Sequence, residues 1–72
     1  MEAAMRTSAR NQLGGTVTSV TIGAVMAEVV VNVDGVSVVA VITKESVEKL
    51  GVSEGSRVSA IIKATDVMIG VD

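Results

Sequence analysis

Apolar and polar positions alternate with a period of two over most of this chain, which is the signature of half-buried strands. The run LGGTVTSVTIG, residues 13–23, alternates with Val17 and Ile22 flanking Val20 and closes at Gly23. Gly14 and Gly15 form strands poorly, and their place here predicts a bulge or a close backbone approach. AVMAEVVVNV, residues 24–33, sets Val25, Ala27, Val29, Val31 and Val33 on one face, against Met26, Glu28, Val30 and Asn32. Asp34-Gly35 then separates it from VSVVAVIT, residues 36–43, a strong two-residue hairpin signal. In that partner strand Val36, Val38, Ala40 and Ile42 face inward, and Ser37, Val39, Val41 and Thr43 outward.

The period changes in TKESVEKLGV. Thr43 is placed as an N-cap, acids occupy the first turn, Val47 and Leu50 sit at helical spacing, and Gly51 closes the C-terminus. A short helix of about two turns is predicted. SEGSRV turns the chain, and RVSAIIK returns to strand with Val58, Ala60 and Ile62 on one side. ATD reads as a tight turn, and VMIGV, residues 67–71, as a last short strand. The order is three strands, a short helix, then two strands. It predicts an all-β, OB-like five-stranded Greek-key barrel with the helix between strands 3 and 4. An open meander capped by the helix is the alternative; the barrel hides more strand edges. Residues 1–7 are expected to be a flexible N-terminal arm, with Met5 a second candidate start, and residues 8–72 a single domain.

Size and composition make that fold dependent on company. A domain of 72 residues buries only ~60% of the surface its unfolded chain exposes, and small domains offset this with disulfides, metals or oligomerisation. With no Cys and no His, disulfides are excluded and zinc or haem sites disfavoured. The inner faces fill the core, yet Met26, Val30, Val39, Val41 and Ile61 remain on the other faces. Together they make a larger apolar patch than a soluble monomer usually shows, so a homo-oligomer is expected. Apolar runs fall short of the ~20 residues that span a bilayer, and the N-terminus has no signal-peptide pattern. The expectation is a cytoplasmic protein without a membrane partner.

Charge and chemistry narrow the function classes. A net charge of −2 and scattered cations give no basic stripe for nucleic acid, and without Phe, Tyr or Trp there is nothing to stack on bases. No nucleophile–base–orienter spacing appears, so no enzyme is predicted. The polar groups that recur are hydroxyls and cations: Ser8 and Arg10 before the first strand, Thr43 at the helix start, Lys63 and Thr65 after the fourth strand. Hydroxyls, cations and free backbone N–H groups are what a small oxyanion needs. Each also has a plainer role. Ser8 and Thr65-Asp66 suit turns, Thr43 a cap, and Lys63 a solvated strand end. Spacing alone leaves both readings open.

SARNQLGGTV at 8–17, AEVVVNV at 27–33 and ITKESVEKLGVSEGSRVSAIIKATDVMI at 42–69 resemble the Mop-type TOBE domain, the molbindin or molybdenum-pterin-binding family. The resemblance runs from about Ser8 to Ile69, and the pairing of Ser-Ala-Arg-Asn with Lys-Ala-Thr-Asp-Val is its most specific part. It implies an OB-like barrel that binds molybdate or tungstate as the intact oxyanion rather than the pterin. It also implies a hexamer, a trimer of dimers with anions at subunit interfaces, serving storage and homeostasis. A stand-alone TOBE module acting in regulation or in dimerisation with a transporter or regulator is the alternative. Carried over by motif, the implied molybdate-binding residues are Ser8, Arg10, Thr43, Lys63, Ala64 and Thr65. Many relatives carry Ser where this chain has Ala64, which leaves a backbone N–H as the contact there. Asn11 and Gln12 are assigned to holding the arm.

Overall fold

The computed structural model describes residues 6–72. Met5 and most of the arm expected over 1–7 lie outside the described residues. Four strands and a helix follow in order: β1 (Asn11–Ile22), β2 (Met26–Val33), β3 (Val36–Thr43), α1 (Lys44–Leu50) and β4 (Arg57–Ile62). They form one antiparallel sheet in the order β3-β2-β1-β4. Three consecutive strands with a fourth returning beside the first is a Greek key, which rules out the meander. The OB-like order survives, with the helix between the third and fourth strands.

β1 serves two neighbours. Its first half pairs with β4, from Asn11↔Ile62 to Thr16↔Arg57, and its second half with β2, from Thr16↔Asn32 to Ile22↔Ala27. The handover carries a register shift between Val17 and Ser19. That extra residue puts Val17 and Val20 on the same face, opposite Val31 and Val29, although three positions apart would otherwise place them on opposite faces. Simple alternation misses this. The bulge expected near the glycines falls at Thr18, while Gly15 provides the close approach. A Cβ on Gly15 would lie 2.4 Å from the Asn32 carbonyl oxygen and 2.8 Å from Val31 Cγ1.

The β2–β3 hairpin turns on Asp34 and Gly35, both left-handed with φ of 49° and 85°. Strand twist favours this two-residue geometry, and the Asn32 carboxamide oxygen accepts from the Gly35 N–H at 2.8 Å. α1 is capped at both ends as expected: Thr43 Oγ1 accepts from the Ser46 N–H, and Gly51 adopts φ 67°. The core is aliphatic and small. Val17, Ala27, Val29, Val31 and Val47 are buried, with Val20, Val33, Ile42, Val52 and Val58 packed around them. Leu50, expected beside Val47 on the inner side of α1, is exposed. Gly51 ends the helix one residue later, and Val52 occupies the adjoining space against the core.

The fifth strand over 67–71 is absent from this sheet. Ala64–Asp66 close a 3-10 turn directly after β4, with Asp66 N–H donating to the Lys63 carbonyl at 2.9 Å. Beyond it Met68, Ile69 and Val71 are 91%, 89% and 93% exposed. Among the described residues this segment pairs with no strand, and the four-stranded sheet is left open along β3 and β4.

Candidate functional site

The residues expected to act together occupy two ends of the sheet. At one end, Arg10 and Lys63 flank the Asn11↔Ile62 pair that closes the β1–β4 ladder, where facing backbones stand on the order of 5 Å apart. Fifty residues of sequence are thereby brought together by strand pairing. Ser8 precedes Arg10, and Ala64 and Thr65 follow Lys63 in the 3-10 turn; all five are exposed. Two carboxamides fix the arm against this end. Asn11 Nδ2 donates to the Ile62 carbonyl at 3.2 Å, and Gln12 Nε2 to the Ala9 carbonyl at 3.3 Å. Both therefore have the anchoring role the sequence suggested for them.

Electrostatics single this end out. Among the described residues the ion pair present is Lys49–Glu45 on α1, at 2.7 Å, so Arg10 and Lys63 stand side by side without a carboxylate partner. The N–H groups of Ala64 and Thr65 lead the 3-10 turn, and its backbone bonds use the N–H groups of Asp66 and Val67 instead. Two cations, two hydroxyls and the N–H groups of Ala64 and Thr65 make this end rich in donors, with Asp66 the carboxylate in the same turn.

Thr43 lies elsewhere. It pairs with Met26 at the far end of β3, level with the Ile22 end of β1 and two strands across the sheet. A single chain does not bring it to Arg10 and Lys63. Its hydroxyl is committed, accepting from the Ser46 N–H at 3.0 Å and donating to Ser46 Oγ at 2.7 Å. The proton free to donate outward then belongs to Ser46. The sequence reading missed Ser46, although the Thr-x-x-Ser spacing at a helix start is legible as a cap.

Thr43 also borders a cleft of about 460 Å³ with Ala24, Val25, Lys44, Glu45 and Glu48. Two carboxylates and one ammonium make this cleft a poor anion site by itself, so by charge the Arg10–Lys63 end is the better suited of the two to an anion. Among the described residues no group of acids, His or Cys could hold a metal ion, and no helix is long and apolar enough to cross a membrane.

The outer apolar face is partly as expected. Met26, Val39, Val41 and Ile61 are exposed at 44%, 59%, 62% and 44%, and Val30 is half-buried opposite Val39. Ile61 pairs with Gln12 on β4, so β1 separates it from the patch shared by β2 and β3.

Comparison with known proteins identifies the family. A family profile described as the TOBE domain matches residues 7–69. The chain belongs to the TOBE-domain family. Molybdenum-pterin-binding protein 3 of Clostridium pasteurianum is 52% identical over 66 residues, spanning 90% of this chain and 97% of that one. A molybdate binding protein from Sporomusa ovata has a structure that superposes with a TM-score of 0.89 at 39% identity, covering 93% of this chain and all of that one. The cytoplasmic molybdate-binding protein ModG, solved with molybdate bound, superposes with a TM-score of 0.89 at 45% identity. The match takes in 94% of this TOBE domain and 49% of the ModG chain.

Proposed function

We propose that this TOBE domain captures molybdate or tungstate as an intact tetrahedral oxyanion and serves as a cytoplasmic store of it. The observation that carries this reading is the unpartnered pair of cations, Arg10 and Lys63, flanking the Asn11↔Ile62 pair beside Ser8, Ala64 and Thr65. A dianion with acceptor oxygens alone offsets both charges and takes hydrogen bonds from the hydroxyls and N–H groups. Capture is reversible and no covalent step is involved.

The name molybdenum-pterin-binding raises a second ligand, and the donor set argues against it. A pterin ring needs a stacking surface, and this chain has no Phe, Tyr or Trp. The site offers charge and hydrogen bonds in a compact exposed cluster, which suits an inorganic anion.

Thr43 enters the reading through a second copy. One chain holds Thr43 and Ser46 far from Arg10 and Lys63, so a site using both halves lies at an interface between subunits. The exposed patch of Met26, Val39 and Val41 supports association, and the resemblance implies a hexamer built as a trimer of dimers. An anion that binds the assembled form alone then stabilises the assembly by mass action. A module acting in regulation, or in dimerisation with a transporter or regulator, is a second reading. It is favoured by the 44% identity to a stretch making up 24% of the molybdenum transport protein ModE of Azotobacter vinelandii.

Native mass spectrometry with and without molybdate tests the proposal, because it reports subunit count and bound anions together. Discrete bound anions on an oligomer are expected. A protein that carries no molybdate at micromolar concentration would end the storage reading.

A further inference from the structure

The β2–β3 turn carries an opportunity for covalent change that neither the core nor the anion end uses. Asp34-Gly35 is the chain's one Asp-Gly step, and both residues are exposed. Among the described residues Asp34 is also the one residue other than glycine at positive φ. A glycine after an aspartate leaves its nitrogen unhindered, because it has no Cβ. Here a Cβ added to Gly35 would meet nothing within 4 Å, so water and base reach the step freely. The comparable steps are more crowded. Asn32 and Asp66 are each followed by Val, whose branched side chain shields the nitrogen, and the Val67 N–H already donates to the Ala64 carbonyl.

The reaction such a step undergoes is intramolecular. The Gly35 nitrogen gives its proton to a solvent base and attacks Cγ of Asp34. One carboxyl oxygen leaves as water, taking a proton back, and a succinimide ring closes. Water then opens the ring at either carbonyl. Addition at Cγ breaks the new bond and restores aspartate. Addition at the main-chain carbonyl breaks the original peptide bond instead, and the chain now runs through Cβ and Cγ as isoaspartate. The backbone is one carbon longer, and the composition is unchanged.

The folded turn holds the nucleophile back. The Gly35 N–H donates to Asn32 Oδ1 at 2.8 Å, so the proton that must leave is held by a carboxamide, which accepts a hydrogen bond but is no base. The Val33↔Val36 pair on either side of the turn restrains rotation of the step towards the carboxyl. We infer that Asp34-Gly35 is a site of isoaspartate formation, and that Asn32 restrains the reaction in the folded protein. The added carbon lengthens a two-residue turn whose geometry matches the strand twist, so the product loosens the hairpin. The inference depends on neither the anion nor the assembly.

Peptide mapping decides it. The parent and Asn32→Ala are aged at neutral pH, folded and in urea, and the tryptic peptide of residues 11–44 is followed by mass spectrometry. Loss of one water marks the succinimide, and electron-transfer fragmentation locates isoaspartate. It is expected at Asp34, accumulating severalfold faster in folded Asn32→Ala than in the folded parent, with the two chains alike in urea. The parent should also age severalfold faster in urea than folded. That comparison needs no variant, so it stands even where Asn32→Ala folds poorly. Isoaspartate at Asp66 in place of Asp34, a parent that ages as fast folded as in urea, or a folded Asn32→Ala that ages like the parent would each overturn the inference.

Discussion

The two ends of β1 are made from similar residues but use them differently. At the Ile22 end, polar side chains serve the fold. Thr43 and Ser46 cap α1 there, and towards the middle of β1, opposite Thr16, Asn32 ties the β2–β3 turn. At the Asn11 end, Thr7, Asn11 and Gln12 are engaged, while Ser8, Arg10, Lys63 and Thr65 are exposed. Arg10 and Lys63 form no ion pair among the described residues, and the proposed oxyanion would give their grouping a role. The contrast teaches that a donor's availability, rather than its type, separates binding groups from structural ones.

The contrast can be attacked at its firmest point first. Gly15→Ala should give the largest loss of stability, because its Cβ would stand 2.4 Å from the Asn32 carbonyl; relieving such overpacking costs about 1–3 kcal/mol or more. A melting temperature within two degrees of the parent, read by circular dichroism, would show that β1 and β2 separate there without penalty. Thr43→Ala comes next. Loss of an N-cap costs about 1 kcal/mol, which in a domain of this size lowers the melting temperature by about 4–8 °C. Thr43→Ser should keep most of that stability. If Thr43→Ala weakens molybdate binding and Thr43→Ser does not, the cap also serves the ligand.

The open end sharpens the comparison from the other side. Ala64→Ser introduces the hydroxyl that the resemblance implies at this position, and should tighten molybdate binding severalfold in calorimetry while leaving the melting curve in place. Unchanged affinity would place the side chain at 64 away from the anion. Lys49→Ala is the smallest expected effect. Its pair with Glu45 is exposed, and i,i+4 pairs of this kind contribute about 0.3–0.5 kcal/mol that salt screens further. A loss of several degrees on thermal melting would mean that α1 depends on the pair more than its exposure implies.

Much of this was legible in the chain, for identifiable reasons. The Asp34-Gly35 hairpin, the Thr43 and Gly51 caps and most of the inner faces of β2 and β3 are local features, set by turn chemistry and by periods of two and 3.6. Val25 and Val36, expected inward, stand at the strand ends and are exposed. The departures are non-local. Nothing in TVTSV marks Thr18 as the bulge, because the shift arises where β1 changes partners. Leu50 fits a helical stripe, but Val52 fills the space against the core instead. VMIGV has strand composition, yet it lies outside the sheet with Met68, Ile69 and Val71 exposed. The candidate site divides in the same way. Resemblance indicated Ser8, Arg10, Thr43, Lys63, Ala64 and Thr65, and the β1–β4 register places all but Thr43 at one end of the sheet. Thr43 stands at the other end, where the sequence alone could not show that one chain keeps it apart.

Calorimetry of the parent, Arg10→Ala and Lys63→Ala with molybdate, using sulfate as the control anion, tests the central claim most directly. The parent should bind molybdate with measurable heat. Each variant should lose at least about tenfold in affinity, the scale of one charged hydrogen bond, while its melting curve stays that of the parent because neither side chain is engaged in the fold. A parent that gives no heat with molybdate, or two variants that bind it as the parent does, would contradict the account.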